Sequence, residues 1–92
     1  MVDIFSAANT VIRRLAGVPE GSGIRMLTFK KDRSVTIIRI DAGTFRVIEQ
    51  GFENREFVVE EKRLRKTVKN LLKREFPRSR KVRLSKVSLR NG

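Results

Sequence analysis

The chain contains no cysteine, histidine, tryptophan or tyrosine. Without cysteine, disulfide staples and thiolate zinc sites are excluded. Without histidine, the commonest general base and the commonest metal ligand are both missing. No apolar run approaches the roughly 18 residues that read as a membrane-spanning helix. The first residues carry Asp3 early and Arg13-Arg14 late, the reverse of a secretory leader. No Walker-type loop, G-x-S-x-G elbow or zinc motif occurs. Gly21-Ser22-Gly23 reads as a loop, not a phosphate cradle, and the acidic residues are scattered through different segments. These absences lead us to expect a non-enzymatic cytoplasmic protein without metal, cofactor or membrane attachment.

Negative charge is scarce in one region above all. Residues 61–92 hold 13 basic and 2 acidic residues, whereas residues 1–60 hold 9 and 8. Nearly all of the net charge of +12 therefore lies in the last third. Such a block repels itself unless a polyanion neutralises it. Phosphate backbones do so, with release of condensed counterions driving the binding. The excess is larger than solubility requires.

The length of 92 residues fits a single compact domain over 1–92 with one modest core, burying roughly 60–65% of its unfolded surface. The pattern along the chain is α+β. Residues 3–16 read as an amphipathic N-terminal helix, with Asp3 as N-cap and Ile4, Ala8, Val11, Ile12 and Leu15 at helical spacing. Gly17 and Pro19 end it. Three strands of an antiparallel meander follow: Ile24–Lys31, Ser34–Asp41 and Thr44–Gln50. Asp32-Arg33 make the first hairpin turn. Asp41-Ala42-Gly43 suit a three-residue loop with Gly43 left-handed. Arg55–Val59 is either a fourth strand or the extended approach to the next helix.

Residues 60–76 form the clearest helix, long, basic and amphipathic, with Leu64, Val68, Leu71 and Leu72 as the stripe that packs on the sheet. Glu60 and Glu61 in the first turn and Lys73 and Arg74 in the last suit the helix dipole, and Pro77 ends the helix. In residues 80–84 basic and apolar side chains alternate, as in a short C-terminal edge strand. The phase slips at Ser85-Lys86, so 85–92 either fray or continue past a bulge.

The polar side of the second helix carries the candidate chemistry. Lys62, Lys66, Lys69 and Lys73 fall within roughly a 60° stripe opposite the apolar one. Arg63 and Arg74 flank this rail on one side and Arg65 on the other. A solvated helix would intersperse acids for i,i+4 pairs, yet Lys62 to Arg74 contains none. Arg78, Arg80, Lys81, Arg83, Lys86 and Arg90 would extend the positive surface, although charge on an edge strand also blocks aggregation. Phe52, in the turn after the third strand, would either stack on a base or fold back onto the core. The other phenylalanines, at 5, 29, 45, 57 and 76, sit in apolar patterns and read as core. Arg25, Arg39 and Arg46 form a weaker set. Neighbouring strands would bring Arg39 and Arg46 together on an open sheet face, unless Glu49 and Asp41 neutralise them.

The order helix, three-stranded meander, helix is similar to that of double-stranded-RNA-binding domains, and Lys62-Arg63-Leu64-Arg65-Lys66 resembles the basic start of their second helix. The resemblance covers about residues 3–76 and is one of element order. The glycine-rich approach to that helix and its alanine-rich character are both missing here. The order implies a helix rail offered to a phosphate groove. We therefore expect a nucleic-acid-binding protein, with RNA slightly favoured over DNA, that contacts backbone phosphates. The alternative is a module that docks on an acidic protein partner. Exposed sheet edges leave a homodimer open.

Overall fold

A computed structural model describes residues 2–27, 33–51, 54–76 and 81–88. Eight elements follow in the order β1 (Val2–Asp3), α1 (Ile4–Leu15), β2 (Ser22–Leu27), β3 (Ser34–Asp41), β4 (Thr44–Gln50), β5 (Asn54–Glu60), α2 (Glu61–Glu75) and β6 (Lys81–Ser88). All strands join one antiparallel sheet in the order β1-β6-β2-β3-β4-β5. Strands β2 to β5 are a four-stranded meander, so residues 54–60 are a strand and not merely the approach to α2. The last strand returns across the molecule to pair with β2, which separates this topology from a helix–meander–helix order.

Both helices cover the same face of the sheet. α1 lies against β1, β2 and β6, α2 against β4 and β5, and the two helices touch each other. Period-two alternation assigns the faces. Ile24, Met26, Val35, Ile37, Phe45, Val47, Val59 and Val82 point to the helices and are buried. From above they meet Ala7, Ala8, Val11 and Leu15 of α1 and Leu64, Val68, Leu71, Leu72 and Phe76 of α2 in one core cluster. Phe57 packs at its margin. No helix packs on the opposite face among the described residues.

Three local details differ from the sequence-based expectation. The β3–β4 connection is a two-residue turn, Ala42-Gly43, with Asp41 paired to Thr44. Gly43 is not left-handed, because the Asp41 carboxylate accepts the Gly43 N–H at 2.9 Å and closes the turn from the side. The carbonyl of Gly43 in turn accepts the Glu61 N–H at 2.9 Å. Thus a sheet turn satisfies one of the orphan donors at the start of α2, where Glu60 makes no side-chain cap. The left-handed position is Gly21, with φ 84°, in the loop before β2. Finally, β6 is neither short nor frayed at Ser85. It runs eight residues, in unbroken register with β2 from Arg83 opposite Leu27 to Ser88 opposite Ser22. It is also not a simple edge strand, since β1 flanks its first two residues.

Several expectations lie outside the described residues: the strand at residues 28–31, Asp32 of the first hairpin turn, Phe29, Phe52, Pro77, Arg78, Arg80, the end of the chain at 89–92 with Arg90, and the side chains of Asp3, Ile4 and Phe5.

Candidate nucleic-acid interface

The rail on α2 follows directly from how the helix is docked. Leu64, Val68 and Leu71 are 2% exposed or less, which fixes the opposite stripe toward solvent. Lys62, Arg63, Lys66, Lys69 and Lys73 are all exposed. Lys62 sits 3.6 Å from the Glu60 carboxylate, an exposed pair of small energetic weight. Arg65 leans the other way and donates to the side-chain oxygen of Asn9 on α1, tying the two helices at the surface. Arg13 and Arg14 are exposed in the last turn of α1, in the same layer.

Arg74 is not part of this rail. Its guanidinium is forked onto Glu49 of β4, with Nε donating at 2.9 Å and Nη2 at 2.7 Å. Arg55 of β5 approaches the same carboxylate at 3.4 Å and lies 5.6 Å over the Phe57 ring. Glu49 is fully buried, with 0% exposure. A buried carboxylate is tolerable only with charge-assisted donors, so Arg74 is spent on the core. At 100° per residue Arg74 is rotated away from Lys62 toward the apolar stripe, and only the presence of an acid below it decides its use.

The strand arginines also separate. Arg39 and Arg46 do not share a face, because the ladder sets Arg46 opposite Ile38 and Arg39 opposite Phe45. Arg39 is buried under α1. It donates to the carbonyls of Leu15 at 2.9 Å, Ala42 at 2.9 Å and Asp41 at 3.2 Å, and lies 4.6 Å over the Phe45 ring. It thereby satisfies a C-terminal carbonyl of α1, where the helix dipole favours a cation. Arg46 is on the open face, 3.5 Å from Glu56.

Strand β6 splits its charges in the same way. Lys81 and Arg83 share the open face with Arg25, whereas Lys86 has the parity of Val82 and Leu84 and is exposed beyond them. Since β6 and β5 stand at opposite sides of the sheet, Lys81 and Arg83 do not prolong the α2 rail. Two cationic surfaces result, one on the helix layer and one on the open sheet. Among the described residues no three acidic side chains converge as a metal site requires, and no helix is long and apolar enough to cross a membrane.

Comparison with known proteins gives no precedent to draw on: no protein family, no curated protein and no solved structure matches the chain.

Proposed function

We propose that the protein is a non-enzymatic nucleic-acid-binding domain that grips phosphate backbone through the solvent face of α2. The observation that carries this reading is the acid-free run from Lys62 to Lys73, whose Lys62, Arg63, Lys66, Lys69 and Lys73 are all exposed while the apolar side of the same helix is locked into the core. Lysines suit phosphates as compact point charges, and an arginine adds a forked contact. Contacts of this type position a protein on a duplex without reading bases. A helix rail fits the shape-based recognition of duplex RNA, where side chains meet backbone across grooves, and RNA is for this reason placed ahead of DNA.

Anisotropy titration of duplex RNA, duplex DNA and single strands at several salt concentrations tests the reading. The expected outcome is a steep negative log–log salt slope corresponding to about 4–6 neutralised phosphates. An absence of binding to all of them at low salt would refute the reading and turn attention to an acidic protein partner for the same rail.

A further inference from the structure

The cations on the open sheet face are not absorbed by the rail, and they are arranged as a surface of their own. β6 contributes Lys81 and Arg83, and β2 contributes Arg25, on adjacent strands with Arg25 opposite Ser85 and Arg83 opposite Leu27. Among the described residues from β6 across β2 to β3 as far as Ile40, no acid occupies the open face. The described acids of that face are Asp41 at the end of β3, opposite Thr44, and Glu56 and Glu60 on β5, and Glu56 is paired with Arg46.

At one end of this half lies a cleft of about 440 Å³ lined, among the described residues, by Arg25, Leu27, Arg33, Ser34, Gln50, Gly51 and Asn54. Its volume is that of a small-ligand site, and among the described residues its lining holds two guanidiniums, two amides and a hydroxyl. Arg25 is held in place by donating from Nε to the Thr36 hydroxyl at 3.4 Å, and Ser34 donates to Gln50 Oε1 at 3.3 Å. Donor-rich among its described residues and open to one side, the cleft has the chemistry of a phosphate seat.

We infer that the open sheet face is a second nucleic-acid-binding surface, with Arg25 seating a backbone phosphate at the mouth of the cleft and Arg83 and Lys81 carrying the next ones along β6, so that one copy of the chain holds two nucleic-acid segments on opposite sides. This inference rests on the reading of α2 given above. The geometry permits double occupancy. The shortest extent of the fold is 23 Å, about three Debye lengths at physiological salt. Two polyanions held on opposite faces are therefore screened from each other, and each is drawn to its own cationic surface.

The test uses the intact chain and two short RNA duplexes, one immobilised and one labelled and free. The wild-type protein is expected to capture the labelled duplex onto the immobilised one. Arg25→Glu with Arg83→Glu is expected to leave binding of a single duplex within about threefold and to reduce capture by at least about tenfold. The neutral pair Arg25→Gln with Arg83→Gln reads the same property with less perturbation of the sheet, and a thermal melt of each variant verifies folding. Capture undiminished in a folded open-face variant would overturn the inference. So would capture only under conditions where sedimentation shows the protein to be dimeric, since two copies with one site each also bridge. One-duplex binding without any capture overturns this inference alone, whereas no binding of the first duplex removes the α2 reading and the second surface together.

Discussion

The two faces of the sheet treat charge differently. Beneath the helices, the buried Arg39 and Glu49 each sit against a partner: helix and turn carbonyls for the first, arginines for the second. On the open face and along the outer stripe of α2, Arg25, Arg83, Lys66 and Lys69 stand in solvent with no acid beside them in the same stripe or strand. The residue types are the same on both sides. What differs is whether burial has forced a partner. Desolvation makes an unpaired charge prohibitive in the core, while at the surface it leaves the charge available for a ligand. Basic character therefore indicates a binding surface only after the register has removed the cations that hold the fold together.

Four perturbations break or sharpen this contrast. The largest effect is expected from Gly23→Ala. A Cβ built at Gly23 would lie 1.8 Å from the carbonyl oxygen of Ile37, so any side chain forces β2 away from β3. Denaturant unfolding should show a loss of about 3 kcal/mol or more. Next, Glu49→Gln removes the buried charge that gathers Arg74 and Arg55 and should cost about 2 kcal/mol by the same measurement. Both arginines are partly exposed and can rehydrate, which keeps the loss below that of a fully sequestered pair. Third, Arg74→Met and Lys66→Met separate the two uses of a cation on one helix. Arg74→Met should cost about 1–2 kcal/mol of stability and leave nucleic-acid affinity nearly unchanged. Lys66→Met should leave stability within about 0.5 kcal/mol and lower the salt slope by about 1.

The smallest effect concerns Asp41. The Gly43 N–H, followed by the Thr44 hydroxyl, holds its carboxyl below the ordinary 3.8. A carboxyl depressed in the folded state adds stability above its unfolded pKa and loses it as pH falls through the lower folded value. Melting temperatures followed from neutral pH downward should therefore show a small loss beginning below about pH 4, reduced in Asp41→Asn.

Much of the architecture was legible because its signals are local. β-branched residues at 35, 37, 38 and 40 mark β3, and the Leu64/Val68/Leu71 stripe marks both α2 and its buried side. The boundaries Ser34–Asp41 and Thr44–Gln50 were read correctly for this reason. The partner of β6 was not legible, because pairing with β2 joins residues some sixty positions apart and leaves no local trace. The fates of the arginines were hidden by the same long-range pairing. Arg74 becomes structural through Glu49, which lies 25 residues away, and Arg39 through Leu15, which lies 24 away. The one local cue available was parity. In Phe45-Arg46-Val47-Ile48-Glu49 the acid shares its side with Phe45 and Val47, which marks Glu49 as a buried carboxylate in need of a cation. The cleft beside Arg25 depended on which strands flank β2, and nothing in a linear pattern announces it.

The most direct test of the central claim is the salt dependence of duplex RNA binding for three proteins side by side: wild type, Lys66→Glu with Lys69→Glu, and Arg74→Met. The account predicts a steep slope for the wild type, a slope shallower by about 2 units with weakened affinity for the double variant, and a wild-type slope for Arg74→Met. Equal slopes for the wild type and the double variant would contradict it, because the exposed lysines of α2 would then take no part in holding the phosphates.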